Sequence, residues 1–310
     1  MDAIKLRNAL FYQVKGLVPR RTQIWLRHQM ARRQRAAAAG VWPILETAAS
    51  PPPNWPGWPD GKQFALVLMH DVELDRGQQR VPQLMALEEA AGFRSSFNFV
   101  PERYRVDPEL RALLAQRGFE VGVHGLNHDG RLYQSPEIFS ERAPKINRYL
   151  ADWGAVGFCS PASHHNLAWN HALHIAYESS TFDTDPFEPQ PDGVQSIFPF
   201  WVANAENGRG YVELPYTLPQ DFTLFILLRE RGIDVWRQKL AWIAAHGGMA
   251  LVITHPDYMQ FDGRSPRYDT YPAAYYADFL AHVQTTYGGQ FWHALPREVA
   301  AFATRLRGEG

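Results

Sequence analysis

Apolar and polar residues follow two alternating rhythms along this chain. FALVLMH (64–70) is an unbroken apolar run and reads as a strand buried on both faces. VPQLMALEEAAG (81–92) has helical spacing and stops at a glycine, whereas RSSFNFV (94–100) alternates as a strand does. DPELRALLAQRG (107–118) predicts a helix with Asp107 as cap, Pro108 in the first turn and Gly118 past its end. FEVGVH (119–124) is the next strand, and Ser135 and Pro136 open a helix over 135–152. VGFCS (156–160) is a short strand, with a helix expected through LAWNHALHIA (167–176). The strand YVELP (211–215), a helix near 234–246, the apolar strand MALVITH (249–255) and helices near 271–286 and 297–307 complete the pattern. Repeated βα units with little hairpin signal predict an α/β fold with a parallel sheet or barrel.

Three segments follow from this pattern. Residues 1–47 form a basic helical N-terminal arm, and 48–62 (AASPPPNWPGWPDGK) a Pro-rich linker that cannot be regular helix or central strand. Residues 63–310 form the βα body. Charge divides the same way. Residues 1–36 hold nine Lys and Arg against one acid, Asp2, which is +8 and leaves −9 for the rest of a chain of net −1. The arm reads as a solvated helix packed on the body, or as a peripheral contact to anionic membrane or polymer with Leu6, Leu10, Phe11 and Val14 on one face.

Composition narrows the class further. A hydrophobic content of 45% over 310 residues supplies a core for one barrel-sized domain or two smaller ones. The single cysteine, Cys159, excludes an intrachain disulfide. No apolar stretch is long enough to span a bilayer and the N-terminus lacks the apolar core of a signal peptide, so the expectation is a cytoplasmic protein. No phosphate loop or dinucleotide fingerprint is present, and the negative body argues against nucleic acid as a partner.

Function in parallel α/β folds collects at the carboxyl ends of strands. There this chain places His70-Asp71-Val72-Glu73, His124-Gly125-Leu126-Asn127-His128, Cys159-Ser160-Pro161 and Thr254-His255-Pro256-Asp257. Each motif alone is common in loops and caps; polar groups at four strand ends point to one shared pocket. Two imidazoles and a carboxylate make a three-ligand set with open positions, which suits catalytic zinc, or cobalt, nickel or iron. Such an ion lowers the pKa of bound water to ~7 in the case of zinc.

HDVE, HGLNH, GFCSPASHHN and LVITHPDYM, in that order on an α/β pattern, resemble the polysaccharide deacetylase family over about residues 64–257. The resemblance implies a distorted (β/α)7 barrel and a metal-dependent hydrolase that removes acetyl groups, N-linked above all, from an amino-sugar polysaccharide or glycan precursor. It implies Asp71 as general base, His124 and His128 as metal ligands and His255 as general acid. The family's second acid adjoins the first, whereas here Val72 intervenes; in an extended strand end Asp71 and Glu73 share a side, so Glu73 supplies the third ligand. The converse, Asp71 on the metal and Glu73 as base, is equally physical, and His70 then faces away.

The family's R-x-P segment appears as Cys159-Ser160-Pro161, so the arginine that holds the catalytic carboxylate is missing, with His164 or His165 as substitutes. Ser160, Pro161, Asp183 and Asp185 are candidates for orienting or substrate contact, the two aspartates as partners of His255 or as turn carboxylates. Trp55, Trp58, Trp169, Trp201, Tyr216, Tyr258 and Trp292 lie in or near loops that could line a sugar groove. The missing arginine supports an alternative, a catalytically impaired glycan-binding or assembly protein. A further alternative is an amidase for a small non-sugar C–N substrate.

Overall fold

The computed structural model describes residues 18–206 and 208–308. All nine residues of β1 (Phe64–Val72) are buried, as an unbroken apolar run demands when neighbours cover both faces. β1 pairs in parallel with β2 (Ser96–Phe99) along Met69–Val72. β2 leads in turn to β3 (Glu120–His124), β4 (Gly157–Cys159) and β5 (Tyr177–Glu178). β6 (Phe200–Ala203) and β7 (Gly210–Glu213) form an antiparallel pair, and β7 continues the parallel order beside β5.

β8 (Met249–Thr254) flanks the other side of β1 along Ala65–His70. The chain beyond β7 reaches β8, where the amides of Thr217 and Leu218 both donate to Leu251 O at 3.0 Å. β1, β2, β3, β4, β5, β7 and β8 thus close a distorted (β/α)7 barrel. β9 (Met259–Gln260) and β10 (Tyr271–Pro272) pair outside it, and β11 (Phe291–His293) extends the foot of β1.

The longer helices are α1 (Arg20–Ala37), α2 (Val81–Ala90), α3 (Pro108–Gln116), α4 (Pro136–Trp153), α5 (Asp234–Ala245), α6 (Ala274–Tyr287) and α7 (Pro296–Gly308). Their starts follow capping chemistry: Asp107 accepts the Glu109 amide at 2.9 Å and Ser135 accepts that of Ile138 at 3.4 Å. None of the helices among the described residues is long and apolar enough to cross a membrane.

Two expectations are corrected. LAWNHALHIA forms only a 3-10 turn at Trp169–Ala172, because Asn166 Oδ1 takes the Trp169 amide and the backbone is extended at Leu173. The β6–β7 hairpin, with Gly208 at φ 68°, was not apparent from hydrophobic rhythm.

α1 lies against a π-helical segment, Phe222–Leu227, with Ile24 and Ala31 buried and His28 Nδ1 2.5 Å from Leu227 O. Leu6, Leu10, Phe11 and Val14 lie outside the described residues. The Pro-rich segment packs Trp55 and Trp58 edge-on, with Trp58 also against Trp292 and Phe302, and Trp58 Nε1 donates to Gly247 O at 2.7 Å. Fully burying one such ring stabilises by ~1.5–3 kcal/mol, so these side chains clamp the wrap to the barrel foot.

Candidate active site

The strand ends converge as the βα pattern requires. β1 runs two residues beyond its apolar stretch, carrying Asp71 and, just past its end, Glu73 to the barrel mouth. β3 ends at His124, and the turn after it brings back His128, itself at φ 55°. Gly125 makes that turn possible. It sits at φ 63°, and a Cβ there would stand 2.6 Å from Pro161 Cδ.

Glu73, His124 and His128 each place one ligand atom within 4.8 Å of the others. His128 Nε2 is 3.0 Å from Glu73 Oε1, and Tyr258 donates to Glu73 Oε2 at 2.8 Å. Buried His124 turns Nδ1 towards Cys159 Sγ, 3.1 Å, and Asp71 Oδ2, 3.5 Å, while its Nε2 is buried with no hydrogen-bond partner. An orphaned imidazole nitrogen facing a carboxylate and a second imidazole fits a divalent cation, with its other nitrogen oriented by the Cys159 sulfur and Asp71 beyond it. Burial pushes the pKa of His124 down to about 4, leaving the neutral, ligand-competent form. Burial disfavours ionised Glu73, but His128, His255 and the Tyr258 hydroxyl outweigh it and hold its carboxyl well below the usual range.

Asp71, His124 and Cys159 make a second cluster of donors. It suits a metal less well. Burial and the Asp71 charge push the Cys159 thiol far above its usual range, and it donates to Asp71 Oδ1 at 3.1 Å instead of ionising. Asn98 Nδ2 donates to the same oxygen at 3.0 Å. An amide and a thiol therefore stand where the arginine was missed; His164 lines the small cavity beside His128, and His165 bonds Ser163 O and Gln190.

His255, buried on the opposite side, has Nδ1 2.6 Å from Asp221 Oδ1. Burial alone would lower its pKa, but Asp221, with Glu73 and Asp71 also facing it, raises it to about 10. The expectation that Asp183 or Asp185 holds His255 is corrected. Asp183 is ion-paired with buried Lys239, and Asp185 accepts the Tyr216 hydroxyl at 3.0 Å and the Phe187 amide at 2.9 Å. Tyr271 bonds the second oxygen of Asp221 at 2.8 Å.

Ser160 and Pro161 line the cavity with His128, and the Ser160 hydroxyl is buried without a partner. His70 is set in the core between Thr254 Oγ1 (2.7 Å) and Glu88 Oε1 (2.8 Å). Of the proposed platform aromatics, Trp55, Trp58 and Trp292 belong to the packed cluster, Trp169 stacks on Tyr133, and Tyr216 is buried. Trp201 lies under Arg307, and Tyr258 serves Glu73.

Asp221 and Asn98 escaped the sequence reading, and Asp257 stood in a strand-end motif without an assigned role. Asp257 Oδ2 accepts the Glu73 amide at 2.8 Å, and Asp221 caps the π-helical turn through the Phe222 amide at 2.7 Å. Asn98 holds an ordinary polar position of the alternating strand RSSFNFV, and Asp221 sits in a loop with no distinguishing neighbour, so neither stood out.

No family model and no curated protein matches the sequence. Solved structures do match. One assigned as a polysaccharide deacetylase from Mycobacterium smegmatis is 20% identical, covering 81% of this chain and 93% of its own at a TM-score of 0.63. One so assigned from Pseudomonas aeruginosa PAO1 is 16% identical (82% and 95%, TM-score 0.62). The Puue allantoinase is also 16% identical (80% and 93%, TM-score 0.62). Strand order, barrel closure and these likenesses agree: the chain has the fold of the polysaccharide deacetylases.

Proposed function

We propose that this protein is a metal-dependent hydrolase that removes acetyl groups, N-linked above all, from an amino sugar of a glycan or glycan precursor. The observation that carries the reading is the Glu73–His124–His128 cluster with the orphaned His124 Nε2, facing a protonated His255. The likeness to structures assigned as polysaccharide deacetylases supports the substrate class.

Glu73, His124 and His128 would hold the ion, zinc for preference. A bound divalent ion supplies Lewis-acid polarisation of the acyl oxygen and eases deprotonation of water. Asp71, oriented by Asn98 and Cys159, takes the proton of the attacking water. The water oxygen bonds to the acyl carbon, and the C–N bond breaks. His255, its Nδ1–H held by Asp221, gives its Nε2 proton to the leaving nitrogen, so acetate and a free amine depart.

The test is joint. The purified protein should bind about one zinc per chain and release acetate from N-acetylated chitooligosaccharides, and His124→Ala should lose both. Metal and activity retained in that variant would overturn the site.

The equal likeness to an allantoinase, with the small cavity beside His128, favours a second reading: an amidase for a small non-sugar C–N substrate. Its pocket chemistry is the same. Turnover of allantoin in preference to chitooligosaccharides would decide for it.

A further inference from the structure

α1 carries six arginines (Arg20, Arg21, Arg27, Arg32, Arg33, Arg35) and no acid. Its inner face is accounted for: Ile24 and Ala31 are buried, Gln34 Nε2 donates to Pro186 O at 3.0 Å, and Arg35 pairs with Glu230. The outer face is not the polar surface that a solvated helix presents. Trp25, Leu26 and Met30 are 53%, 47% and 50% exposed, three of the seven exposed large apolar side chains among the described residues. At 100° per residue Leu26, Met30 and Arg33 share a stripe, bordered on one side by Trp25 and Arg32; both arginines are exposed.

An apolar stripe with an indole at its edge, bordered by guanidinium groups and free of carboxylates, suits one kind of surface. Apolar side chains enter the boundary between headgroups and acyl chains, tryptophan settles at headgroup depth, and arginines meet phosphate oxygens. A second copy of the chain would bring another cationic helix against this one, which Coulomb repulsion opposes. We propose that the outer face of α1 docks on an anionic lipid surface. Docking also bears on the site, because Arg20 at the start of α1 lies against Tyr258, whose hydroxyl bonds Glu73.

The test uses the full chain with vesicles of phosphatidylcholine alone or with one-third phosphatidylglycerol, read by co-sedimentation. The wild type should partition at least tenfold more strongly onto anionic vesicles and lose most of that binding in 0.5 M salt. Arg32→Gln/Arg33→Gln and, separately, Trp25→Ser/Leu26→Ser/Met30→Ser should each weaken partitioning at least tenfold with unchanged circular dichroism and thermal melting. Absence of binding, equal binding to neutral vesicles, or undiminished binding of both folded variants would overturn the proposal. So would a dimer in lipid-free sedimentation velocity that the triple variant dissolves.

Discussion

His255 Nδ1 stands 2.6 Å from Asp221 Oδ1, and the other oxygen of Asp221 accepts the backbone amide of His255 at 2.8 Å. One carboxylate therefore fixes both the ring and the chain that bears it, and leaves Nε2 free of Asp221. On the proposed function, Asp221 is a positioning residue for the proton that Nε2 gives. Asp221→Asn should cut turnover by ~10²-fold, and the alkaline limb of the rate profile should move to lower pH. A merely structural Asp221 would change stability without moving that limb.

The same pair predicts how stability varies with pH. A folded pKa of about 10 lies above the ordinary histidine value of ~6.5, so between them the folded state holds a proton that the unfolded state has released. This contribution is complete below pH ~6.5 and fades as pH rises towards 10. Urea unfolding across that window should show stability falling with pH, and Asp221→Asn should flatten the slope.

Tyr258 bonds the carboxylate oxygen of Glu73 that His128 leaves. Tyr258→Phe should weaken zinc binding ~10–100-fold, as loss of an outer hydrogen bond to a ligand does, while Glu73→Gln should weaken it more. Equilibrium dialysis with competing chelator would measure both. Unchanged affinity in Glu73→Gln would shift the ligand role to Asp71.

Gly125 holds the turn that returns His128 to His124. Gly125→Ala combines a left-handed backbone with a collision against Pro161, and should cost ~1–3 kcal/mol in thermal or urea unfolding. Zinc affinity should fall with it, because the two imidazoles lose their spacing.

Asp183 belongs to the framework. Lys239→Met would leave its carboxylate buried and unpaired, at a cost of ~3–5 kcal/mol by urea unfolding. Asp183→Asn should lower stability with kcat near wild type; a kcat collapse in a folded variant would return it to the catalytic set.

The parts legible in the sequence were those governed by local rules. β1, α3 and α4 follow from an apolar run and from Asp107 and Ser135 as caps, and the strand-end rule gathered Asp71, Glu73, His124, His128 and His255 at one mouth. What escaped depends on three-dimensional partnership. Nothing near Asp221 or Lys239 in sequence says which buried group each will meet, since their partners lie 34 and 56 residues away. Asp183 and Asp185 drew attention by being acidic in a rigid loop, a property that turn carboxylates share.

The neutral pair around Asp71 has a consequence for how the pocket reaches electroneutrality. Asn98 and Cys159 orient the carboxylate without cancelling its charge, whereas a guanidinium would do both. On the proposed reading, a dication in the neighbouring cage would meet a stronger negative field than beside an arginine, its counter-charge drawn from solution instead of being built into the polypeptide. Loading and folding would then be linked equilibria, and a chelator should act as a mild denaturant.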